Sequence, residues 1–104
     1  MIKVAILGYG TVGSGVFQII KENKELITNK AGQEIDIKYV LDLREFPGDP
    51  CENVLVHDYN IILNDPEVEV IIEVMGGLKP SYDFVKSALE AGKSVCTSNK
   101  ELVA

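Results

Sequence analysis

Apolar positions along this 104-residue chain fall into short runs of two different periods. Ile2-Lys3-Val4-Ala5-Ile6-Leu7 is a mostly β-branched run of strand length, and it breaks into Gly8-Tyr9-Gly10-Thr11-Val12-Gly13. Val12, Val16, Ile19, Ile20, Leu26 and Ile27 then recur at helical spacing, with Lys21, Glu22, Lys24 and Glu25 mostly outside. The spacing predicts a helix of about four turns with one buried stripe, closed by the polar residues 28–33 around Gly32. Ile35-Asp36-Ile37-Lys38-Tyr39-Val40-Leu41 alternates and then turns apolar, a second strand ending at Asp42-Leu43-Arg44-Glu45. Residues 46–53 carry two prolines and a glycine and read as a loop, and Val54-Leu55-Val56 reads as a short edge strand. Tyr59, Ile62 and Leu63 mark a short helix behind a cap at Asp58, stopped near Asp65-Pro66.

Residues 68–75 (VEVIIEVM) form the strongest strand pattern, and Gly76-Gly77 ends it. Pro80 suits the first turn of a helix whose buried stripe is Phe84, Val85, Ala88 and Leu89, with Ala91-Gly92-Lys93 as its stop. Ser94-Val95-Cys96-Thr97 is a last short strand, and residues 101–104 open a further helical turn. Strands alternating with helices through short turns give a parallel sheet covered on both faces. The fold class expected is therefore α/β, a Rossmann-type doubly wound sheet spanning residues 1–104 as one domain.

Composition narrows the function classes. Hydrophobic residues at 46% and charged residues at 25% describe a soluble globular domain, and no apolar run approaches a membrane span. The net charge of −6, with both signs interspersed, argues against a nucleic-acid surface. Cys51 and Cys96 show no metal or redox spacing, so a reduced cytoplasmic protein without disulfides or a metal site is expected. His57, the single histidine, reads as a surface loop residue, and Cys51 as a spectator thiol.

The chemistry concentrates at the first glycine turn. A strand, then G-x-G-x-x-G, then a helix is the order a dinucleotide pyrophosphate requires. Gly8 allows the tight turn, Gly10 lets the backbone approach the phosphates, and Gly13 lets the helix lie against the strand. The unpaired N–H groups and positive dipole end of the helix then face the phosphates. At the tip of the second strand a carboxylate accepts from both ribose hydroxyls and repels a 2′-phosphate, whereas an arginine pairs with it. Asp42 and Arg44 offer both answers, and Asp42 tilts the expectation toward NAD over NADP. Gly76 and Gly77, at the carboxyl end of the strongest strand, let the backbone pass close to a cofactor.

With these pieces placed, the chain resembles the NAD(P)-binding domain of the homoserine dehydrogenase family. The resemblance runs nearly end to end, through residues 8–15 (GYGTVGSG), 65–70 (DPEVEV), 73–77 (EVMGG) and 91–104 (AGKSVCTSNKELVA). The E-x-x-GG and T-x-NK segments are far more specific than the glycine fingerprint. The resemblance implies an oxidoreductase interconverting L-homoserine and L-aspartate 4-semialdehyde with NAD(P)(H), on the branch to threonine and methionine. It implies that Gly10, Thr11 and Val12 touch the pyrophosphate, that Gly76 and Gly77 line the groove, and that Thr97, Ser98 and Asn99 lie near the nicotinamide. Lys100 matches the lysine assigned to substrate binding and proton transfer, a reasonable role because hydride addition to an aldehyde leaves charge on oxygen.

Two departures qualify it. The family often carries a basic residue near the end of the second strand, where this chain has Asp42-Leu43-Arg44. The chain also stops at Ala104, before the family's substrate and dimerisation region. The expectation is a domain that binds dinucleotide but does not turn over homoserine alone, with the amino-acid substrate and a homodimer contact lying beyond it. The alternatives are the cofactor domain of another semialdehyde or hydroxy-acid dehydrogenase, and a non-catalytic NAD-binding module.

Overall fold

In a computed structural model, residues 2–23, 35–75 and 81–97 are described. The central strand is β1 (Ile2–Leu7), whose residues from Val4 onward are all buried. It pairs in parallel with β2 (Ile35–Leu41) on one side and β4 (Val68–Glu73) on the other. The short β3 (Leu55–Val56) extends the sheet beyond β2, and β5 (Ser94–Thr97) extends it beyond β4. The order β3-β2-β1-β4-β5, all parallel, puts the change of winding direction between β1 and β4. A crevice must open there, outside the carboxyl ends of the strands.

Both faces are covered, as the alternation of strands and helices requires. One core cluster is built on Ala5, Leu7, Leu41 and Ile71, against Ile62 of α2 (Tyr59–Leu63) and Ala88 of α3 (Ser81–Glu90). The other is built on Ile6, Ile37 and Val40, against Phe17 of α1 (Thr11–Glu22) and Cys51 of a 3₁₀ turn (Pro50–Val54). Asp58 caps α2 by accepting from the Asn60 N–H, and Gly92, at φ +83°, turns the chain after α3.

Three details depart from the periodicity. The buried stripe of α1 runs through Gly13, Val16, Phe17 and Ile20, while Val12 and Ile19 are more than half exposed. Phe17, the largest apolar side chain of the helix, takes the sheet-facing position and so rotates Val12 and Ile19 outward. The helix also closes at Asn23, whose N–H returns to the Ile19 carbonyl, nearer three turns than four; Leu26 and Ile27 lie outside the described residues. In α3 the buried residue is Ala88, because a small side chain lets the helix lie close to the sheet, and Leu89 is turned to solvent.

Both strands flanking β1 carry a bulge. Val4 pairs with Ile37 and Ala5 with Tyr39, which skips Lys38; Lys3 pairs with Val68 and Val4 with Val70, which skips Glu69. The extra residue is what lets Ile37 and Val40, three apart, join one cluster, and Val68 and Ile71 the other. Lys38, freed from the ladder, bridges Asp65 at 2.6 Å and Glu67 at 2.5 Å.

Candidate functional site

A cleft of about 450 Å³ opens at the crevice, lined by the glycine turn, the ends of β2 and β4, and α2 and α3. Its floor is the turn out of β1. Gly8 sits at φ +100°, a conformation that side-chain-bearing residues rarely adopt, and a Cβ there would meet Met75 Cγ at 3.0 Å. A Cβ on Gly13 would lie 2.0 Å from the Gly8 carbonyl oxygen, so only glycine lets α1 press on the turn. Gly10 is different. The nearest atom to a Cβ there is Arg44 Nη2 at 4.0 Å, so space is left open in front of its backbone.

The start of α1 faces that space. The helix ladder opens with Ser14 N–H donating to the Gly10 carbonyl, so the N–H groups of residues 11–13 lie ahead of it. No side chain caps this end and no acidic residue lies in the first turn. Free donors and an uncompensated positive dipole end beside open volume are the features that hold a phosphate. The residues present therefore fit a dinucleotide pyrophosphate.

Asp42 and Arg44, set against each other by the sequence, are bound to each other. Arg44 Nε donates to Asp42 Oδ1 at 3.0 Å and Nη2 to Oδ2 at 2.9 Å, a two-point pair, and the Arg44 N–H adds a third bond to Oδ1 at 2.9 Å. The N–H of Tyr9, inside the glycine turn, donates to Oδ2 at 2.9 Å. The Arg44 side chain holds the Asp42 carboxyl well below the usual carboxylate range, helped by both backbone donors and opposed by burial. Asp42 is largely covered, whereas Arg44 is 62% exposed and stacks over Phe46, its guanidinium carbon 5.2 Å from the ring centre. The Asp42 backbone oxygen is 2.7 Å from His57 Nδ1, so the lone histidine forms part of the cleft wall.

Tyr9, not singled out by the sequence, ties the turn to the loop after β2 at both ends. Its hydroxyl donates to Asp49 Oδ1 at 2.6 Å, and Asp49 also accepts from the Cys51 N–H at 3.0 Å. Its ring meets Phe17 and Phe46 edge-on. Burial, then the bond to Asp49, pushes the Tyr9 hydroxyl's pKa up. The opposite wall is apolar: Met75, Phe84 and Tyr59, the last stacked on Phe84 at 4.2 Å with its hydroxyl donating to the Phe84 carbonyl.

Of the expected site residues, the structure brings Gly8, Gly10, Asp42 and Arg44 together around the cleft. Gly13 packs behind the turn, Val12 is exposed on the first turn of α1, and Thr11 opens that helix. Thr97, at the end of β5, donates a hydrogen bond from its hydroxyl to Glu73 Oε1. Gly76, Gly77, Ser98, Asn99 and Lys100 lie outside the described residues. Tyr9, His57, Tyr59, Met75 and Phe84 are among the lining residues that spacing alone did not flag. The aromatic after Gly8 and the lone histidine beside a cap were the available signals. Among the described residues, no group of three or more His, Cys, Asp or Glu side chains is arranged to hold a metal ion, and no helix is long and apolar enough to cross a membrane.

Comparison with known proteins agrees with this geometry. Homoserine dehydrogenase of Bacillus subtilis (strain 168) is 39% identical over 106 residues, which cover 99% of this chain and 24% of that protein. A crystal structure of S. aureus homoserine dehydrogenase superposes with a TM-score of 0.86 at 41% identity, covering 97% of this chain and 26% of the other. That of the enzyme from Thiobacillus denitrificans gives 0.85 at 36% identity, over 98% of this chain and 24% of the other. The chain thus spans about a quarter of the length of these relatives. The family model described as "Homoserine dehydrogenase, NAD binding domain" matches residues 8–104, and the chain belongs to that family, as its NAD(P)-binding domain.

Proposed function

We propose that this chain is the dinucleotide-binding part of an oxidoreductase that interconverts L-homoserine and L-aspartate 4-semialdehyde. The observation that carries it is the open space at Gly10, between an uncapped helix start and the Asp42–Arg44 pair at the switch point of the sheet. In this reading the N–H groups of residues 11–13 hold the pyrophosphate, and Asp42 and Arg44 hold the adenosine ribose. The bound nicotinamide supplies the hydride acceptor or donor. Lys100 stabilises and protonates the substrate oxygen, an assignment that rests on the T-x-NK resemblance. The rest of the amino-acid substrate site and a homodimer contact, in this reading, lie outside this chain, which covers about a quarter of its relatives' length.

The ion pair also bears on cofactor choice. All the bonds to the Asp42 carboxylate come from Arg44 and the turn, so its charge is neutralised before any ribose arrives. Such a site accepts both NAD and NADP. Calorimetric titration with each cofactor tests this. Arg44→Ala frees the carboxylate and shifts preference toward NAD by about tenfold, and Asp42→Ala frees the guanidinium and shifts it toward NADP by a similar factor. An unchanged NAD:NADP ratio in both variants refutes the pair as the discriminating element. Homoserine oxidation by the purified 104-residue chain would refute placing the substrate site elsewhere.

A further inference from the structure

Glu73, the last residue of β4, is fully buried, and its carboxylate is not spent on an ion pair among the described residues. Burying a carboxylate costs folding free energy that an apolar residue of similar size does not. What it does instead is accept two bonds from two different strand ends. Oε2 accepts from the Met75 N–H at 2.7 Å, just past the end of β4, and Oε1 accepts from the Thr97 hydroxyl at 2.6 Å, at the end of β5. Glu73 and Thr97 are also register partners in the sheet.

The first of these bonds reaches the cleft. Met75 lines it, and Met75 is the residue against which Gly8 is packed so closely that a Cβ on Gly8 would stand 3.0 Å from Met75 Cγ and 3.1 Å from its Cα. The backbone before it is fixed to β1 by the Val74 N–H donating to the Leu7 carbonyl at 3.1 Å. A buried carboxylate therefore pins the β4 exit against the glycine turn, and pins the β5 exit to both.

We propose that Glu73 is a positioning residue of the dinucleotide cleft, acting through Met75 on the wall facing Gly8 and through Thr97 on the end of β5. This rests on the reading of the cleft as a dinucleotide site. Glutamate suits the task because its two oxygens accept from two donors at once. Glutamine keeps the Met75 bond through its carbonyl and meets Thr97 by reversing the second bond, with its amide donating to the hydroxyl. Leucine removes both.

The test measures binding of NAD, NADP and adenosine 5′-monophosphate to the 104-residue chain and its variants by calorimetry and NMR. In this reading the monophosphate fills the Asp42–Arg44 end and the phosphate position at the start of α1, and lacks the nicotinamide half that passes along Met75. Glu73→Leu weakens both dinucleotides by about tenfold or more and leaves the monophosphate within about twofold, while Glu73→Gln stays close to the parent. Thr97→Val gives a smaller loss confined to the dinucleotides, and Thr97→Ser restores it. Parallel loss of dinucleotide and monophosphate in Glu73→Leu, or unchanged dinucleotide binding in it, overturns the proposal. If Glu73→Leu does not fold, Thr97→Val decides: unchanged dinucleotide binding there overturns it. A parent chain that binds neither NAD nor NADP overturns the cofactor reading itself, and the positioning role with it.

Discussion

Alanine at each glycine of the fingerprint separates what the fold needs from what the ligand needs. At Gly13 the added Cβ would lie 2.0 Å from the Gly8 oxygen and 2.9 Å from the Gly8 carbonyl carbon. Both are backbone atoms of the central turn, so α1 must retreat by more than about 1 Å to restore ordinary contact. Overpacking of this kind costs about 3 kcal/mol, which for a domain of this size lowers the melting temperature by roughly 12–24 °C. At Gly10 the Cβ enters open space, and the backbone there (φ −79°, ψ −158°) is extended, so Gly10→Ala keeps the parent's stability. The methyl occupies the volume the pyrophosphate needs, and dinucleotide affinity falls by about tenfold or more. At Gly15, inside α1 with nothing within 4 Å, alanine improves helix propensity by about 0.5–1 kcal/mol and raises the melting temperature by roughly 2–8 °C. Thermal unfolding by circular dichroism and calorimetric titration with NAD and NADP read the two effects separately. A Gly13→Ala chain as stable as the parent would refute the close helix contact, and a Gly10→Ala chain that binds as the parent does would refute the phosphate cradle.

The bulged Lys38 gives a pH prediction. Its bond, with help from the Tyr39 hydroxyl, pulls the Asp65 carboxyl down to about 2, so the stability it contributes is complete above the unfolded carboxylate value of about 3.9 and is lost as pH falls toward 2. Urea midpoints measured between about pH 2 and 4 should fall less steeply in Asp65→Asn than in the parent; equal slopes would remove Asp65 from the acid limb. The two thiols should differ in reactivity. Cys51 is fully buried and its thiol is pushed up to about 11, chiefly by burial, whereas Cys96 is exposed. Under native conditions at about pH 8 a thiol reagent should label Cys96 quickly and Cys51 only at the rate of unfolding, as peptide mass analysis would show; fast labelling of both would contradict the packing of the 3₁₀ turn.

Strand and helix placement were legible because a parallel sheet buried on both faces writes continuous apolar runs, and because glycine, proline and aspartate punctuate them. Less of the site was legible, for a geometric reason. Glu69 and Glu73 have the same parity in β4 and look alike to any two-residue pattern, yet the first is the exposed bulge and the second is fully buried. Nor does spacing show that Lys38 leaves the ladder for Asp65, since the register shift depends on three strands meeting at β1. Asp42 and Arg44 were both found, but read as rivals for the ribose. Two residues apart on a turn, their side chains reach each other more readily than either reaches a ligand, and that local pairing is invisible when each is judged by its own charge.

The same pairing resolves a tension in the composition. A chain with a net charge of −6 would be expected to repel a cofactor that carries at least two negative charges. Among the described residues the cleft is lined by one carboxylate, Asp42, and Arg44 neutralises it. The first turn of α1 has no acidic residue, and Glu73 sits fully buried behind Met75. Among the described residues, what remains uncompensated at the mouth is the positive end of the α1 dipole, since the Asp42–Arg44 pair is neutral overall and His57 Nε2 lies 3.0 Å from Glu45 Oε1. Screening confines charge effects to about 8–10 Å at ordinary salt, so the acidic residues beyond that range count for little at this site. At the start of α1 the local field is therefore that of the helix dipole, and it is attractive to phosphate even though the chain as a whole is acidic.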